Sequence, residues 1–217
     1  MLKSVFLAAA MLASAAPAAA VTTIDFDAAR GRNGRTGYVT GAWVEEGYRV
    51  AADRCSAPAG TCFVTTGTAL TSLDRTGAAL TNFLGSAVTT LSRVDGGAFR
   101  LLGMEMAGNY GNFSGFSPAT LGVTFTYLFA DGTSATETRS LLNTPGQRLT
   151  VNSLGFDGRA LTAVSWRPGA NTSGFLQFDD IRVAAGVPEP ATWALTILGF
   201  GAMGAALRRR ARRAILA

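Results

Sequence analysis

Residues Leu121 to Arg139 read LGVTFTYLFADGTSATETR, and this stretch decides the fold class. Val123, Phe125, Tyr127 and Phe129 recur at every second position, the period of a strand with one apolar face. Asp131-Gly132 then supplies a tight-turn dipeptide, and a threonine-rich run returns behind it. The segment predicts a β-hairpin. Working outward, the same alternation predicts strands at 22–26, 47–50, 61–65, 98–106, 148–151, 161–166 and 174–183. Turn signals at Asp95-Gly96-Gly97, Pro145-Gly146, Asp157-Gly158 and Pro168-Gly169 separate them. No long run of period 3.6 interrupts the body. Eight to ten short strands predict an all-β chain, a jelly-roll-like β-sandwich.

Composition narrows the chemistry. The chain has 217 residues, 48% hydrophobic and 15% charged, enough for one ordinary domain with a proper core. It contains no histidine, which removes Ser-His-Asp and Cys-His catalysis, a histidine base and a His-ligated zinc. The formal charge of +5 is an effect of the ends. Lys3 and Arg208, Arg209, Arg210, Arg212 and Arg213, offset by Glu189, account for it, while 13 basic and 13 acidic residues balance over 21–187. Phosphate binding needs a basic face, so no nucleic acid partner is expected.

Both ends read as addresses. Met1-Leu2-Lys3, the apolar run Val5–Leu12 and Ala18-Ala19-Ala20 form the three parts of a secretory signal peptide, residues 1–20, cleaved after Ala20. At the other end, Pro188-Glu189-Pro190 precedes seventeen uncharged residues, Ala191 to Leu207, with Trp193 near their start and the arginine cluster after them. At 1.5 Å per residue such a helix reaches about 25 Å, a short transmembrane span. The arginines would stay cytoplasmic and Trp193 would lie at the opposite interface. The layout is therefore 1–20 signal peptide, 21–186 sandwich and 187–217 tail with a membrane helix over 191–207.

The tail VPEPATWALTILGFGAMGAALRRRARR, residues 187–213, resembles the PEP-CTERM sorting signal of Gram-negative bacteria in all three of its parts. Carried over, the sorting residues are Pro188, Glu189, Pro190, Trp193, Arg208, Arg209 and Arg210. The resemblance implies exosortase as partner, export through the inner membrane with transient anchoring by the C-terminal helix, then a cell-surface or extracellular destination. It also implies association with exopolysaccharide or biofilm matrix. The second half of the body, FRLLGMEMAG through FLQFDDIRV, resembles the galactose-binding-like or carbohydrate-binding-module-like sandwiches that often precede such tails. In that resemblance the last strand returns beside the first and leads straight into the tail.

Single residues add less. In an exported chain, Cys55 and Cys62 predict a structural disulfide around a short turn. Asp25 and Asp27 would meet Asp179 and Asp180 if first and last strands are neighbours, a candidate calcium site. The same aspartates also read as solvent-facing or turn-capping side chains, and no other cofactor is implied. The loop 109–117, NYGNFSGFS, interleaves rings and amides; Tyr110, Asn112, Phe113 and Phe116 are candidate glycan contacts, with Trp43 and Trp166 as further ring surface. A plain glycine-rich connection explains that loop equally well, and Trp166, in phase with Val164, reads as core. Glu45, Glu46, Glu105 and Glu137 offer carboxylates, but no spacing selects the pair a glycosidase needs. The expected function is thus a non-enzymatic exported envelope or matrix protein. The alternatives are a carbohydrate-binding module with a specific glycan site and a secreted glycan hydrolase.

Overall fold

The computed structural model describes residues 20–29, 37–66, 77–108, 120–142, 150–169, 176–186, 197–201, 204 and 208. Thirteen strands run in chain order: β1 Val21–Ile24, β2 Gly37–Thr40, β3 Trp43–Glu45, β4 Tyr48–Ala52, β5 Thr61–Thr66, β6 Ala79–Asn82, β7 Thr89–Arg93, β8 Phe99–Gly108, β9 Thr120–Phe129, β10 Ser134–Leu142, β11 Asn152–Gly155, β12 Ala160–Pro168 and β13 Leu176–Ala185. The hairpin that decided the fold class is β9–β10, in unbroken antiparallel register from Ser134↔Leu128 to Leu142↔Thr120. Gly132 takes φ 82° in its turn, the left-handed conformation that asks for glycine. Asp131 Oδ1 accepts from the Thr133 N–H at 2.9 Å and fixes the corner. Leu121, Val123, Phe125 and Phe129 are buried as the alternation requires. On the opposite face Thr124 meets Thr138 and Thr126 meets Thr136, hydroxyl to hydroxyl.

The pairings are all antiparallel, and they bend one hydrogen-bonded network into two layers. Its main path is β2-β5-β6-β13-β8-β12-β7-β4-β3, with β1 on β13, β11 on β8, and β9–β10 on β12. The layers join where β8 meets β12 in two pairs, Arg100↔Ala160 and Phe99↔Leu161. The result is an all-β sandwich. Its first and last strands are neighbours, with β1 on β13 from Val21↔Ala184 to Ile24↔Ile181.

Large rings fill the space between the layers. Phe178 from one sheet packs at 5.1 Å on Trp166 from the other, and Phe26 and Phe63 meet the same ring at 5.7 and 6.1 Å. All three contacts are edge-on, the arrangement the ring quadrupole favours. Trp166 is 1% exposed and belongs to the core.

Several expectations need correction. The strand expected over 22–26 ends at Ile24, because Phe26 turns to φ 57°. That left-handed conformation is strained for a bulky residue, by about 1–3 kcal/mol. It drives the ring inward while the chain leaves in a short 3₁₀ turn, Asp27–Ala29. Of the strand expected at 148–151, residues 148 and 149 lie outside the described residues and Thr150 and Val151 are not in a strand. Strand β11 begins at Asn152, whose side chain bonds both Leu142 N–H and Leu142 C=O and so ties β11 to the end of β10. Strands β2, β3, β6 and β7 were not anticipated; they are three to five residues long, and β6 is buried on both faces, leaving no alternation to read. Cys55 and Cys62 sulfurs lie at disulfide distance, closing the turn that the Ser56↔Thr61 bridge begins.

Candidate functional site

A cleft opens at the β9–β10 end of the sandwich. Along β10, Ala135, Glu137 and Arg139 are in phase with buried Leu141, so a strand that is otherwise Ser, Thr, Ala and Leu turns two charges inward. The segment between β11 and β12 folds across them. Together Tyr127, Phe129, Glu137, Arg139, Phe156 and Asp157 line a space of about 200 Å³.

Its polar groups interlock. Tyr127 Oη donates to Glu137 Oε1 at 2.5 Å, and Arg139 Nε donates to the same oxygen at 2.6 Å. Arg139 Nη1 donates to the Gly155 carbonyl at 2.6 Å, and the guanidinium lies 4.3 Å over the Phe156 ring. Tyr127 stacks between Phe125 and Phe129 at 6.2 Å from each. Arg159 covers Phe129 at 3.6 Å, while Asp157 Oδ1 accepts from the Arg159 N–H. Burial, with the Glu137 carboxylate as acceptor next, pushes the Tyr127 phenol well above its ordinary value. The Tyr127 hydroxyl, with Arg139 behind it, holds the Glu137 carboxyl below the usual range. Glu137 is therefore a fixed anionic acceptor. A carboxylate held this way is ionised at neutral pH and can accept hydrogen bonds from a ligand.

A second polar knot ties the N-terminal strand to the β3–β4 hairpin. Glu45 Oε2 accepts from the Phe26 N–H at 3.2 Å and from Trp43 Nε1 at 2.9 Å. Burial, with the Asp25 carboxyl nearby, raises the Glu45 pKa despite these two donors. Trp43 is thus held by Glu45, and Glu46 sits in the two-residue turn with φ 50°.

The four aspartates come together only as far as the β1–β13 register carries them. Asp25 follows the last pair of that ladder, Ile24↔Ile181, and Asp180 precedes Ile181 in a bulge with φ 45°. Three of the carboxylates already serve backbone N–H groups: Asp25 that of Asp27, Asp27 that of Ala78, and Asp179 that of Asp180. Among the described residues, no three His, Cys, Asp or Glu side chains assemble to hold a metal ion. Glu105 pairs opposite Asp179 and accepts from Ser153 Oγ.

Tyr110, Asn112, Phe113 and Phe116 lie outside the described residues, as do residues 1–19 of the expected signal peptide, Pro188, Glu189, Pro190, Trp193, Arg209 and Arg210. Residues 197–201, Gly204 and Arg208 are helical, with Ile197, Leu198 and Phe200 exposed. Among the described residues no helix is long and apolar enough to cross a membrane. Sequence reasoning missed the cleft. Its signal was present in β10, where Glu137 and Arg139 share the phase of Leu141 rather than that of the threonines.

No curated protein matches the chain. Among solved structures it is similar to a family 29 carbohydrate-binding module from Piromyces equi, at 11% identity and TM-score 0.39, covering 77% of this chain and 91% of that one. It is also similar to the CBM22-1 xylan-binding domain from Paenibacillus barcinonensis Xyn10C, at 12% identity and TM-score 0.37, covering 81% and 100%. Residues 186–210 match the family model of the PEP-CTERM protein-sorting motif, and the chain carries that sorting signal directly behind its last strand.

Proposed function

We propose that the chain is an exported, non-enzymatic envelope or matrix protein. Its jelly-roll-like body, 21–186, follows a signal peptide, 1–20, and precedes a tail, 187–217, that exosortase processes at Pro188–Pro190. A helix over 191–207 holds the substrate in the inner membrane, and Arg208, Arg209 and Arg210 fix its orientation. The observation that carries this reading is the sorting motif at 186–210. The body's hydrogen bonding supports the boundary: the Gly186 N–H donates to Ala98 O at 3.0 Å, so strand pairing reaches the residue at which the motif starts. The test is a transplant. Residues 187–217 fused behind an unrelated exported domain confer membrane retention and exosortase-dependent trimming, and Glu189→Ala blocks trimming without blocking insertion. A fusion released untrimmed would defeat the proposal.

A second reading concerns what the body holds, and the cleft favours it. Three rings, a fixed carboxylate and a guanidinium around about 200 Å³ suit one sugar ring with its hydroxyls, less than the ~300–1,000 Å³ of sites for larger ligands. In this reading the cleft anchors the protein to one unit of an exopolysaccharide, and Glu137 and Arg139 supply acceptor and donor. Glycan-array binding lost in Arg139→Ala supports it; binding retained in that variant would place the contact elsewhere.

A further inference from the structure

Among the described residues β10 pairs with β9 alone, which leaves its outer edge an open template. The Gly169 N–H donates to Gly122 O, so the Gly122 backbone faces β12 and the Gly122↔Ser140 pair is a non-hydrogen-bonded one. Alternation then points the N–H and C=O groups of Thr136, Thr138 and Ser140 away from β9. At the next such position, Leu142, both groups are capped by Asn152. Among the described residues nothing caps Thr136, Thr138 and Ser140 in this way, and all three side chains are exposed. Open edges are usually blunted by lysine, proline, a bulge or inward-pointing charges. Ser134–Ser140 contains no lysine and no proline, its register with β9 is unbroken, and its two inward charges, Glu137 and Arg139, are of opposite sign, so they bar some registers and not others.

We propose that this edge pairs with the same edge of a second copy, antiparallel about a two-fold axis through Thr138. Charge selects both the occupant and the register. With Thr138 facing Thr138 of the second copy, Glu137 lies opposite Arg139 and Arg139 opposite Glu137. Both are narrow pairs, in which side chains approach closest. Sliding the centre by one residue sets Glu137 against Glu137, or Arg139 against Arg139, and like charges directly opposite destabilise a ladder. The Thr138 register also sets Thr136 opposite Ser140, so the hydroxyl rows Thr124–Thr138 and Thr126–Thr136 continue across the axis. So short an edge makes an interface below the roughly 1,200 Å² of a stable complex. The pairing is therefore concentration-dependent, suited to chains crowded on a surface.

Sedimentation equilibrium of the full chain in detergent tests this. Wild type shows a dimer that grows with concentration. Thr138→Lys sets two ammonium groups face to face and weakens dimerisation by about fivefold, and Thr138→Glu does the same. An equimolar mixture of the two variants recovers the wild-type level, since lysine then faces glutamate. Thr138 is exposed, and thermal melts verify that each variant is folded. A monomeric wild type, association insensitive to Thr138→Lys, or a mixture no better than its components would each overturn the proposal.

Discussion

Glu137→Gln tests the cleft without emptying it, because the amide keeps the shape and loses only the charge. In the wild type one carboxylate oxygen accepts from both Tyr127 Oη and Arg139 Nε. Hydrogen bonds to a charged group contribute about 1.5–3 kcal/mol against 0.5–1.5 for neutral ones, so about 1 kcal/mol is at stake in each. The Glu137 side chain is 42% exposed, and solvent screening cuts the sum to about 1 kcal/mol in all. For a body of this size that is a fall of about 2–4 °C in Tm at neutral pH. The sign of the pH dependence follows from the depressed Glu137 pKa. Its stabilisation is complete above the ordinary carboxyl value of about 4.3 and is lost as pH falls through the lower folded value. Melts of wild type and variant from pH 7 to pH 3 therefore converge at the acid end. Tyrosinate absorbance supplies an independent readout: Tyr127 ionises at lower pH once the anion beside it is gone. A constant gap between the melts at all pH values, with an unchanged tyrosine titration, would refute the proposed coupling.

Further outcomes follow from the same geometry. Glu45→Gln keeps an acceptor for Phe26 N–H and Trp43 Nε1 but removes a carboxyl whose pKa is raised chiefly by burial. The wild-type stabilisation from that shift is present below the ordinary value and lost as pH rises through the folded one, so melts at pH 7 show the variant equal to or above wild type, whereas Glu45→Ala loses about 1–2 kcal/mol. Replacing Cys55 and Cys62 with serine costs about 2.5 kcal/mol in the chain-entropy model for a separation of seven, measured by urea titration. A Cβ at Gly186 would stand 2.8 Å from Ala98 O, so Gly186→Ala forces the end of β13 off β8 at about 1–3 kcal/mol and increases hydrogen exchange at 183–186.

The sequence made the hairpin legible because Val123, Phe125, Tyr127 and Phe129 sit on a sheet with one wet face, where period two is undisturbed. It hid Ala79–Asn82, buried throughout, and it hid the turn at Phe26, whose positive φ carries its ring against Phe178, a partner far away in sequence. The return of the last strand beside the first was legible only by resemblance, since no local signal pairs Val21 with Ala184. The cleft needed three dimensions. Phe156 and Asp157 come from a connection nearly twenty residues beyond Glu137, and only the fold lays them over Arg139. The sorting signal was legible without the fold, because its prolines, apolar run and charge cluster are read directly along the chain.

The measurement that tests the account most directly is the intact mass of the protein recovered from a host with exosortase and from the same host without it. With the enzyme, the account predicts a product that begins near Val21 and ends near Pro188–Pro190, recovered outside the inner membrane. Without it, the product keeps its tail to Ala217 and stays in the inner-membrane fraction. Full-length protein from the exosortase-positive host, or the same trimmed mass from both hosts, would contradict it.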